Sequence, residues 1–223
     1  MLKLERLYFL QALYFSLLLV FMLWMVEGFE YVLEKDFRDF GIYPRSLSGS
    51  VGIITSPWIH NDVYHLFSNS FPLLFLGIAI GFFYRNFAVK LLILMYFLTG
   101  LLVWLFGREA FHIGASGMIY AMIGFLLFSG AFRKEPQSAA IALAFLFLYG
   151  GVLEGMFPTA VKPNVSWESH LLGGVAGAVL AFYFRNNKGS ESLNEATRDG
   201  EDPPDSMTFT EEGDFQYTLK KEQ

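Results

Sequence analysis

Gly114-Ala115-Ser116-Gly117 places a serine between small residues. Such flanks leave the hydroxyl and the neighbouring N–H groups unobstructed, as acyl transfer requires. Serine is a poor nucleophile until a neighbouring base takes its proton, and histidine has the side chain whose ordinary pKa suits that task near neutral pH. His170 opens the run His170-Leu171-Leu172-Gly173-Gly174-Val175-Ala176-Gly177, where Gly173 and Gly177 form a G-x-x-x-G pair that can bring a helix close to its neighbour. His65 and Asn69 lie four residues apart and share one helix face. Tyr120 follows Ser116 by the same interval. Ser116 as nucleophile and His170 as base would form a dyad, with His65, Asn69 and the Ser116 N–H aimed at the oxyanion of a tetrahedral intermediate. Each piece alone has a plainer reading. His and Asn hydrogen-bond across packed membrane helices, and small residues permit close packing. Only the set combines a nucleophile, a base and spare donors.

A second base is available on spacing, because His112 precedes Ser116 by four residues. Gly114 between them weakens helix at that point. His112 is therefore expected in a loop with its ring in water, and His112→Ala is expected to keep most of the activity. Glu154 and Glu168 are expected to be wet at loop ends, so no carboxylate completes a triad. Metal chemistry finds no His-Glu-x-x-His pair and no cluster of three close ligands; the reading needs no metal and no cofactor.

The elements that must position these residues are membrane helices. Of the 223 residues 54% are hydrophobic and 18% aromatic, and the mean hydropathy is +0.41, above the about 45–50% apolar content of soluble domains. Apolar runs about 20 residues long lie at 7–26, 63–83, 88–106, 113–132, 139–157 and 165–184. The expected fold class is all-α, a polytopic membrane protein of six transmembrane helices. The first run reads as a retained span, because a secretory signal has a shorter apolar core and a small-residue cleavage site.

With an inside N-terminus, the inner ends hold Lys3, Arg6, Arg85, Lys90, Arg133, Lys134, Arg185 and Lys188. The outer side holds Lys35, Arg38, Arg45, Arg108 and Lys162, so the positive-inside rule puts both termini in the cytoplasm. Residues 27–62 make a long outer loop whose aromatics suit the membrane interface. Residues 1–185 carry 12 Lys+Arg against 11 Asp+Glu, whereas 186–223 carry 4 against 10. The chain thus divides into a membrane domain, 1–185, and an acidic tail, 186–223, expected to be disordered. No basic surface suggests nucleic acid. Cysteine is absent, which removes disulfides and thiol nucleophiles together.

Read together, these motifs resemble the rhomboid family of intramembrane serine proteases. Gly114-Ala115-Ser116-Gly117 is similar to its G-x-S-G nucleophile motif, and His170, Gly173 and Gly177 to its H-x-x-G-x-x-x-G base motif. The resemblance implies Ser116 as nucleophile, His170 as general base, and His65 with Asn69 as the H-x-x-x-N pair that stabilises the oxyanion. It also implies that His60 is a structural histidine and that Tyr120 packs on the catalytic imidazole. Gly41-Ile42-Tyr43-Pro44-Arg45 resembles a first-loop segment of bacterial members, whereas the Trp-Arg pair of many members is absent. The implied fold is a six-helix rhomboid-like bundle with a water-filled cavity open to the outer side, in a bacterial inner membrane. The implied partners are the lipid bilayer and single-span membrane proteins cut near the membrane boundary. The rival expectation is an inactive relative that binds or escorts transmembrane clients.

Overall fold

A computed structural model describes residues 3–148, 155–157 and 166–187, together with two short strands at 207–209 and 215–217. The chain opens with α1 (Lys3–Leu33), and the first loop contains the one-turn helix α2 (Gly52–Thr55). Four longer helices follow: α3 (Val63–Phe83), α4 (Ala88–Phe106), α5 (Ser116–Phe132) and α6 (Pro136–Leu148). The last is α7 (Trp167–Tyr183). Among the described residues, three helices are long and apolar enough to cross a membrane on length and composition alone: α1, α3 and α4. In the tail, β1 (Met207–Phe209) pairs antiparallel with β2 (Phe215–Tyr217), Met207 opposite Tyr217. The remainder of 188–223 lies outside the described residues, as do 149–154 and 158–165, including the expected end of the fifth span, Glu154 and the start of the sixth.

α5 is the central helix. Every residue from Ile119 to Leu126 is buried, as expected for a helix apolar all round and surrounded by protein. Large side chains such as Phe21, Phe71, Phe75, Phe97 and Val179 are exposed on the other helices. Such surface would drive association in water and is ordinary against lipid tails. Small residues set the closest approaches. A Cβ at Gly77 would lie 2.6 Å from Ser16 Oγ, and one at Gly81 2.9 Å from Ala12 Cβ, so α1 and α3 meet through a small-residue seam.

The first loop is shorter than expected. α1 runs to Leu33 rather than ending near residue 26, and stops where Glu34 takes a left-handed φ of 51°. The remainder folds into short 3₁₀ turns and α2 against the flank of α4. Trp104 Nε1 donates to Ser46 O at 2.9 Å, Trp58 Nε1 donates to Tyr96 OH at 2.9 Å, and Tyr96 OH donates to Ile54 O. Arg45 Nη1 donates to Gly107 O at 2.7 Å, placing its guanidinium on the carbonyl end of α4. At the end of the bundle opposite Ser116, Arg133 pairs with Glu135 at 2.7 Å and donates to Phe184 O at 2.7 Å. Tyr84 OH lies 2.6 Å from both Glu135 Oε2 and Ser138 Oγ. One polar cluster therefore joins α3, α5, α6 and α7 at this end.

Candidate active site

Ser116 is the first residue of α5, so its N–H and those of Gly117 and Met118 have no acceptor within the helix. These donors and the positive end of the helix dipole face the same space as the Ser116 hydroxyl. The turn that delivers Ser116 needs glycine at 114 for two reasons. Its φ is +104°, and a Cβ there would lie 2.7 Å from Cε1 and 3.0 Å from Nε2 of His65. The glycine thus lets the His65 ring approach the backbone just before Ser116.

His170 sits in the first turn of α7, with Nε2 2.9 Å from Ser116 Oγ and Nδ1 2.9 Å from Gly155 O. A carbonyl oxygen can only accept, so Nδ1 carries the proton. Nε2 is left with the lone pair that can receive the serine proton. The Tyr120 ring stacks on the imidazole at 4.2 Å between centroids and 6° between planes. The helices come this close because glycine faces backbone. A Cβ at Gly173 would lie 2.1 Å from Gly117 O, and one at Gly177 2.1 Å from Ala121 O.

His65 Nδ1 accepts from Asn61 N at 3.4 Å, which puts the ring proton on Nε2 beside Gly114. Asp62 caps α3 by accepting the His65 N–H at 2.8 Å, fixing the turn from which that ring projects. Asn69 is buried, and its Nδ2 donates one hydrogen to His65 O at 2.9 Å. His60 is buried, its ring 5.0 Å from that of His65, and its Nε2 accepts from Ala115 N at 3.4 Å. Burial, reinforced by neighbouring His65, pushes His60 down to about 3, so it is neutral at ordinary pH.

All the expected site residues thus converge at one end of the bundle, while two expectations concerning their neighbours are corrected. His112 lies in the loop before α5, but its ring is buried at 2% exposure rather than wet, which removes the ground for expecting His112→Ala to keep most of the activity. The first loop covers it: Ile42 and His112 exchange backbone hydrogen bonds at 3.0 and 2.9 Å. Glu168 is likewise buried, at 4% exposure, because Arg108 reaches it at 3.4 Å. Neither faces the Ser116–His170 contact as a third member. That position belongs to Gly155 O, which sequence reasoning could not find because every residue carries a carbonyl.

The fold and site define a polytopic helical membrane protein with a serine and a histidine joined at one end of its central helices. A family model described as Rhomboid domain matches residues 48–187, and the chain belongs to the rhomboid family. It is similar to an uncharacterized protein of Mycobacterium tuberculosis, 35% identical over 73% of this chain and 71% of that one. RHOMBOID-like protein 1 of Arabidopsis thaliana is 27% identical over 59% of this chain and 34% of its own length. Inactive RHOMBOID-like protein 8 of the same plant is 30% identical over 48% of this chain and 31% of its own length. The chain is an integral membrane protein of a family whose members are usually serine proteases acting on transmembrane substrates.

Proposed function

We propose that this protein is an active intramembrane serine endopeptidase that cleaves single-span membrane proteins near the membrane boundary. The observation that carries the reading is the Ser116–His170 contact of 2.9 Å, with the imidazole already oriented by Gly155 O. Ser116 Oγ attacks the scissile carbonyl as His170 Nε2 takes its proton. The oxyanion is met by the Ser116 N–H, His65 Nε2–H and the second amide hydrogen of Asn69. His170 returns the proton to the leaving amine, and a water repeats the sequence on the acyl-enzyme. Tyr120 holds the imidazole plane, and His60 supports the turn at Ala115.

Depth favours substrates at a membrane boundary. A 17-residue α5 covers about 26 Å, against a hydrocarbon core of about 30 Å. With its inner end flush, its outer end and Ser116 lie about 4 Å below the lipid surface. Water must reach that depth through a polar cleft open to the outer side. The charge distribution supports both termini in the cytoplasm, and the mycobacterial relatives support a bacterial inner membrane.

The test is incubation of the purified protein in liposomes with a single-span substrate, alongside Ser116→Ala. A cleaved product that disappears in the variant is expected. Indistinguishable behaviour of the two would favour a client-binding role without proteolysis.

A further inference from the structure

A second contact between the loop before α5 and the start of α7 runs parallel to that between Ser116 and His170. His112 and Ser166 each lie four residues before one dyad member, and their side chains meet at 2.5 Å, His112 Nδ1 to Ser166 Oγ. The direction of this contact follows from its neighbours. His112 Nε2 lies 3.0 Å from Arg108 O, which can only accept, so Nε2 carries the proton and Nδ1 the lone pair. Ser166 therefore donates to Nδ1 and is left to accept from the Ser169 hydroxyl at 2.6 Å and the Ser169 N–H at 3.4 Å. The chain begins beside His170 and ends in the loop that leads to Ser116.

Its surroundings make it stiff. The His112 ring is buried, and its backbone is paired with Ile42 on the first loop. Ser166 is the N-cap of α7, and His170 N donates to Ser166 O at 3.4 Å within the first turn. Arg108 and Glu168 flank the chain as an ion pair at 3.4 Å. Burial is the largest influence on His112 and pushes it below the ordinary histidine range, which keeps the ring neutral and the lone pair available.

We propose that His112 is a positioning residue: it fastens the first turn of α7 to the turn that delivers Ser116, so that His170 is presented at bonding distance. The role rests on the proteolytic reading above. It uses no proton transfer by His112. What it supplies is the alignment of two helix ends, and misplacement by about 1 Å can cost on the order of 100-fold in rate.

Five forms of the full-length protein in liposomes test it: wild type, His112→Phe, His112→Asn, Ser166→Ala and the double variant His112→Phe/Ser166→Ala. His112→Phe fills the ring volume without either polar contact, and its kcat is expected to fall about 10- to 100-fold with KM within about twofold of wild type. In His112→Asn, Oδ1 replaces the Nδ1 acceptor, and most of the lost rate should return. Ser166→Ala should fall as His112→Phe does, and the double variant should fall no further, because both remove one link. Nitrogen-15 NMR of the His112 ring, which needs no substrate, should show the neutral Nε2–H tautomer in wild type.

A folded His112→Phe with the wild-type kcat overturns the proposal, as does a His112→Asn no faster than it. If His112→Phe does not fold, a wild-type rate in Ser166→Ala overturns it instead. An Nδ1–H tautomer does so as well. Absence of cleavage by wild type sinks the proteolytic reading and the positioning role with it, whereas an active wild type with indifferent variants sinks the positioning role alone.

Discussion

The imidazole of His170 works between two oxygens of different character, the Ser116 hydroxyl and the Gly155 carbonyl. A carbonyl fixes the tautomer as a carboxylate would, but it would bring only a dipole to the imidazolium that the proposed reaction forms. Stacking on Tyr120 adds the orientation that a second hydrogen-bonding side chain would give elsewhere. Ser116→Ala and His170→Ala are each expected to abolish cleavage while leaving an inserted, folded protein. The double variant should be no worse than either single one, since such residues act as a unit. A double variant far slower than both, in a single-turnover assay, would argue that the two side chains serve separate steps. The side chains of this site were legible in the sequence because their chemistry is scarce: only 4 histidines occur in the chain, and three of them gather near Ser116. The burial of the fourth, His112, was not legible. It depends on the first loop folding over it, and local spacing carries no information about a segment seventy residues upstream.

Between elements, the pairing of α5 with α7 sets the distance between Ser116 and His170, and glycine sets that pairing. Gly173→Ala would put a Cβ 2.1 Å from Gly117 O, an atom of rigid helix backbone, so the helices must separate. Because Gly173 lies one turn from His170 and Gly117 adjoins Ser116, the separation opens the candidate dyad. A loss of cleavage of about 100-fold is expected even if the protein stays folded. Gly28→Ala is the matched control: nothing lies within 4 Å of the added methyl on exposed α1, and helix propensity slightly favours it. Equal rates for Gly173→Ala and wild type would show that the α5–α7 spacing does not govern the site. Hydrophobic runs gave the limits of α3 and α4 to the residue. They overran the start of α5, where Ile113, Gly114 and Ala115 are apolar yet belong to the turn. The cause is physical: burial inside protein selects apolar residues whether or not the backbone is helical, so hydropathy alone cannot mark a helix that begins below the surface.

The whole molecule is fastened at both ends, by polar clusters of opposite design. The cluster opposite Ser116 is ionic, with Arg133 and Glu135 tying four helix ends together. Arg133→Ala should therefore lower the thermal midpoint and leave the catalytic rate of the folded fraction unchanged, which thermal unfolding and active-site-normalised rates would separate. The tail is expected to contribute to neither cluster. Truncation after Lys188 should preserve insertion and cleavage, and an inserted but inactive truncation would make the tail a functional module. The cluster at the Ser116 end is held together by neutral histidines, and acid should attack it first. His60 is pushed from its ordinary value of 6.5 to about 3, chiefly by burial, and His112 is also lowered, again chiefly by burial. A buried neutral imidazole binds its proton more weakly in the folded protein than in the unfolded chain. The stability it contributes is complete above pH 6.5 and is lost progressively as the pH falls from there toward the folded value. The thermal midpoint should thus drop steadily between about pH 7 and about pH 4.5. Carboxylates that titrate in the lower part of that range are common to all variants, so the informative quantity is a difference. His60→Gln offers Ala115 N an uncharged acceptor in place of Nε2 and has nothing to protonate. Its midpoint should lie closest to wild type at low pH and show a shallower acid slope. Parallel slopes for the two proteins would mean that the acid sensitivity, and the proton-binding cost assigned to burial at this end of the bundle, lies elsewhere.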